Sequence, residues 1–117
     1  MAMELEGNLP LQRFIQLLAD LNHQSSNMIK TGDMAILPTM NKTVEEMYSI
    51  QHGGKEDAYT AIEEEMQTIC KNFDAITMML QSNDSDRPDK ATSNAVKKFL
   101  HNIFDATVRI IYAYGLA

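Results

Sequence analysis

Seven apolar side chains at alternating three- and four-residue steps, Tyr59, Ile62, Met66, Ile69, Phe73, Ile76 and Leu80, constrain this chain more than any other feature. Such steps keep all seven on one narrow stripe of an α-helix. A strand does not read this way, because its faces alternate with a period of two. The stripe is the seam of a helix that packs lengthwise. Burying seven such side chains is worth roughly 10–20 kcal/mol before ordering entropy is subtracted. Asp57 supplies a cap, and the acids that follow it suit the positive N-terminal end of the helix.

Three more segments carry the helical step. In the first, Leu11, Phe14, Leu18, Leu21, Ser25 and Met28 form the stripe, and Ile15 and Ile29 widen it. Asn8 is placed to cap that helix, Pro10 sits in its first turn and Gly32 ends it. In the second, Leu37, Met40, Val44, Met47 and Gln51 line up with Tyr48 beside them. Pro38 fixes its start near Leu37, and Gly53-Gly54 stops it. The last helix starts soon after Pro88 and carries two adjacent stripes. Val96, Phe99, Ile103, Ala106, Ile110 and Ala113 form one; Leu100, Phe104, Thr107, Ile111 and Tyr114 form the other. An arc that wide serves a helix with two neighbours or a central place.

The pattern predicts one all-α domain over residues 1–117, with 1–8 a flexible N-terminus and 81–89 an exposed polar loop. The expected architecture is an antiparallel up-and-down four-helix bundle. Three long helices with an irregular second segment are the alternative. In the four-helix arrangement the short second helix leaves part of the groove between its neighbours uncovered.

Charge narrows the function classes. A net charge of −6, with ten basic residues thinly spread, argues against nucleic acid and against an anionic membrane. Cys70 is the only cysteine, which excludes an internal disulfide and points to a reduced, cytoplasmic setting. The first eight residues do not read as a signal peptide, and no apolar run approaches a membrane span. The sequons at Asn41-Lys42-Thr43 and Asn83-Asp84-Ser85 read as chance matches.

The residues offer little to an enzyme. On a helix His23 points away from the stripe, and the string His23-Gln24-Ser25-Ser26 in an acidic bundle resembles a histidine phosphotransfer domain, which also matches in size. That resemblance implies a signalling role with His23 as phosphoacceptor. The family's motif, however, follows the histidine with a lysine three residues on and then a glycine, where this chain has Ser26 and Asn27. Asp20 with His23, and His101 with Asp105, share helix faces, but the inward Glu-x-x-His motifs of a bundle metal site are missing. There is no Gly-rich phosphate loop, nucleophile elbow or Cys-x-x-Cys pair, so neither metal nor cofactor is expected. Cys70 lies beside the core stripe as a small hydrophobe, and Glu63-Glu64-Glu65 reads as a solvated face.

Two features exceed what a plain bundle needs. Nine methionines are present, and Met78 and Met79 flank the end of the main seam. The C-terminal end from Ile110 is apolar around most of the helix, with no charge after Arg109. The sequence therefore reads as a non-enzymatic helical protein–protein interaction module, an adaptor or complex subunit. Its partner is its own copy, as a homodimer, or a helical segment of another protein. The expected contact residues are Met78, Met79, Ile111, Tyr112 and Leu116, and phosphotransfer at His23 is the alternative.

Overall fold

Pro10 and Gly32 do what their chemistry suggests. The first helix, α1, runs Leu9–Thr31, with Pro10 in a turn whose amide would have no intrahelical partner. Gly32 adopts φ of 70° and donates its N–H to the Met28 carbonyl at 2.8 Å, closing the helix with a left-handed cap. The computed structural model describes residues 9–54, 57–81 and 90–116. The Asn8 cap, the flexible stretch 1–8, the Asn83 sequon and all of the 81–89 loop but Gln81 lie outside them, as does the Asp57 side chain.

Beyond Gly32 the Asp33 carboxylate accepts from the Ala35 amide at 3.0 Å and caps a 3-10 turn over Met34–Ile36. This turn leads directly into α2, Leu37–Gly53, with Pro38 in its opening turn as expected. Within α2, Thr43 is buried and its hydroxyl donates to the Thr39 carbonyl, so the Asn41 sequon sits in a packed helix.

The long third helix is divided. α3 covers Asp57–Ala61 and α4 covers Glu63–Gln81. At Ile62 the chain tightens, with its N–H directed three residues back to the Tyr59 carbonyl. The seam passes through the break intact: Tyr59, Ile62, Met66, Ile69, Phe73 and Ile76 are buried, and Leu80 packs against the core from a half-buried position. The last helix, α5, spans Lys90–Ala113.

Among the described residues the fold is an all-α helical bundle without strands. α5 packs against both α4 and α1, as its wide apolar arc requires, and α1 packs in turn on α2. α2 and α4 meet only lightly. Side-chain pairs fix the directions. Asn22 of α1 donates to Thr107 of α5 at 3.0 Å, and Phe14 stacks at 6.4 Å on Tyr114, so those helices are antiparallel. Asn102 donates to Asn72 at 2.9 Å and Arg109 approaches Glu65 at 3.8 Å, which makes α4 and α5 antiparallel too.

One end of the core is aromatic. Tyr59 and Phe14 meet edge-to-face at 5.6 Å, Tyr114 lies 6.4 Å from Phe14, and all three rings are buried. Burial raises the Tyr114 phenol far above its ordinary range, with nearby Tyr59 adding to the effect, so it stays protonated. The chain leaves α5 through a Schellman turn. Gly115, at φ of 68°, donates to the Tyr112 carbonyl, and Leu116 donates to the Ile111 carbonyl. Leu116 thus occupies the position whose side chain returns toward Ile111.

Candidate functional site

The light contact between α2 and α4 leaves the bundle's surface open along that side. Two cavities follow one another along this side. The first, about 250 Å³, lies between Tyr48, Gln51 and His52 of α2 and Glu63, Met66, Gln67, Cys70, Lys71 and Asp74 of α4. The second, about 370 Å³, lies between Leu37, Pro38 and Asn41 at the start of α2 and Phe73, Thr77, Leu80 and Gln81 at the end of α4. Together they follow α4 for nearly its whole length, about 27 Å at 1.5 Å per residue.

The cleft exists because of what α2 turns toward α4. Its core stripe of Met40, Val44 and Met47 is buried. One step around the helix come Leu37, Asn41, Tyr48 and His52, a flank of mixed polarity that cannot close a dry interface. The floor, by contrast, belongs to the core: Met66 and Phe73 are both buried. The first cavity has an aromatic wall, because Tyr48 and His52 at i, i+4 stack with ring centroids 4.0 Å apart. Glu63 and Asp74 bring carboxylates to its rim and Lys71 an ammonium.

Cys70 is the chain's only thiol and lies half-buried where α4 lines the first cavity. Burial pushes its pKa up, and the neighbouring Asp74 carboxylate pushes it further. A thiol held protonated in this way is a weak nucleophile. No group of three or more His, Cys, Asp or Glu among the described residues is placed to hold a metal ion.

The residues predicted from sequence divide into two groups. Tyr112 is 68% exposed on the outer side of α5, Leu116 is 43% exposed just beyond it, and Ile111 is half-buried against the core. Met78 is 67% exposed and Met79 half-buried near the end of α4. The Glu65–Arg109 and Asn72–Asn102 pairs set Tyr112 level with Ile62. Met78 lies sixteen residues further along α4, about 24 Å away. The five residues therefore do not form one patch. Met78 sits one turn beyond Asp74 on the same flank of α4, which puts it at the cleft's edge. Tyr112 and Leu116 belong to a separate surface. His23, Asp20, His101 and Asp105 are exposed on the outsides of α1 and α5, away from the cleft.

Sequence reasoning missed His52, Gln67 and Asp74 as site residues. The available signal was the pairing of a short second helix with Tyr48 and His52 one turn apart. No helix among the described residues is long and apolar enough to cross a membrane. No protein-family model, curated protein or solved structure matches this chain.

Proposed function

We propose that this chain is a non-enzymatic helical interaction module that receives an amphipathic helix of another protein in the cleft between α2 and α4. The observation that supports this reading is the cleft's form: about 27 Å of groove with a buried apolar floor and a mixed polar rim. An amphipathic helix docks by laying its apolar stripe on such a floor and leaving its polar edges to the rim. Met66, Phe73 and Leu80 supply three successive contact levels at seven-residue spacing, two helical turns apart. Met78 at the edge is a side chain that adapts to its neighbour.

The single cysteine makes the test direct. Amphipathic helices selected from a displayed peptide library for binding to the full chain should protect Cys70 from alkylation in proportion to occupancy. Tyr48→Asp should weaken them. Binders that leave the alkylation rate and the Tyr48→Asp affinity unchanged would place the interaction elsewhere. Phosphate on His23 after incubation with a phosphorylated receiver domain would replace this reading with phosphotransfer.

A further inference from the structure

The outer face of α5 carries a second strip, opposite the buried Ile103, Ala106 and Ile110. Lys98, His101, Asp105, Arg109 and Tyr112 recur there at three- and four-residue steps, and all five are exposed. We propose that two copies of the chain pair through this strip, with their α5 helices antiparallel about a two-fold axis midway between Asp105 and Arg109.

The strip is complementary to its own reverse. When it is turned end for end and laid on itself, Asp105 faces the second copy's Arg109 and Arg109 faces the second copy's Asp105. In the same register, to within one residue, His101 meets the second copy's Tyr112. A two-fold contact demands this property, because one patch must serve both sides. The centre is a balanced set of two carboxylates and two guanidiniums. Arg109 is half-exposed and lies 3.8 Å from Glu65 through Nε, which leaves other guanidinium donors for a second carboxylate. The phenol ring of Tyr112 gains a cover over the imidazole.

Within the strip itself the repulsive terms are small. The two copies of Lys98 stand about 27 Å apart at opposite ends of the strip, beyond the Debye length at physiological salt. Five residues a side is well below a standard interface of roughly 20–30, so the dimer is weak and concentration-dependent. This face is separate from the α2–α4 cleft, and its pairing stands or falls independently of what the cleft binds.

Sedimentation velocity on the full chain, up to about 1 mM and at low and high salt, is the experiment. The wild type should dimerise, and salt should weaken it. Asp105→Arg alone and Arg109→Asp alone should each weaken the dimer by roughly tenfold to thirtyfold, since both reciprocal pairs become like-charged. An equimolar mixture of the two variants should associate again, because one then presents two arginines to two aspartates. Circular dichroism melts of each variant separate loss of pairing from loss of fold. A chain that stays monomeric throughout, a dimer that neither reversal weakens, or variants that fail to associate on mixing would overturn the proposal.

Discussion

The two sides of α4 are closed in different ways. Toward α5, Asn72 is hydrogen-bonded to Asn102, and Ile69 and Ile76, one turn to either side, have no solvent exposure. Toward α2, the same helix borders a 27 Å cleft, and Tyr48 across it stays 49% exposed. Both neighbours are amphipathic helices. They differ in the width of the apolar arc: α5 has two adjacent stripes over 24 residues, and α2 has one over 17. Closure on a second neighbour therefore follows from a second stripe, and a helix with only one leaves a groove.

Mutations can break this contrast, and the largest effect belongs to the closed side. Ile76→Ala should cost about 2–5 kcal/mol in urea unfolding, because it empties space that nothing else fills. Tyr48→Ala on the open side should cost less than about 1 kcal/mol. Equal losses would mean that the cleft is shut in solution. Next in size, Asn102→Leu leaves the Asn72 carbonyl oxygen without its partner in a half-buried place and should cost about 1–3 kcal/mol. The double variant Asn72→Leu/Asn102→Leu should recover most of that loss, which a double-mutant cycle measures directly.

The smallest effect concerns the tie between α1 and α2. Arg13 grips Glu46 with Nε–Oε2 of 2.6 Å, and this hydrogen bond holds the Glu46 carboxyl below its ordinary value of 4.5. A depressed carboxyl stabilises the fold above its unfolded-state pKa and loses that contribution as pH falls through the folded value. The melting temperature of wild type should thus exceed that of Glu46→Gln slightly at neutral pH. The difference should vanish on acidification below 4.5 and shrink with salt, since both groups are exposed.

Much of the packing was legible because it is periodic. The Tyr59–Leu80 seam, the α1 stripe from Leu11 to Met28 and the two-neighbour arc of α5 all follow from spacing alone. Buried Leu17 escaped notice, since it lies beside the stripe rather than on it. The break at Ile62 escaped too, because no glycine or proline marks it. The candidate site was harder to read. Met78 and Tyr112 were recognisable as exposed apolar residues, but their 24 Å separation depends on how α4 and α5 align. The Schellman turn that carries Leu116 out of α5 is likewise a relation between Gly115 and the preceding turn, which spacing does not show. Cleft and turn alike depend on relations between segments, which a one-dimensional pattern does not carry.

The bridges Asn72–Asn102 and Asn22–Thr107 have a consequence for folding to one state. Val96, Ile103 and Ile110 repeat every seven residues, as do Ile62, Ile69 and Ile76. Sliding α5 by one heptad, about 10 Å, would lay one isoleucine where another had been, so burial alone hardly distinguishes the two alignments. The hydrophobic code is degenerate under that translation. The polar bridges are not: the slide would bring Ala95 or Arg109 to Asn72, and Leu100 or Tyr114 to Asn22. Two amide contacts give a repeating seam a fixed origin, as one polar position does in a coiled coil.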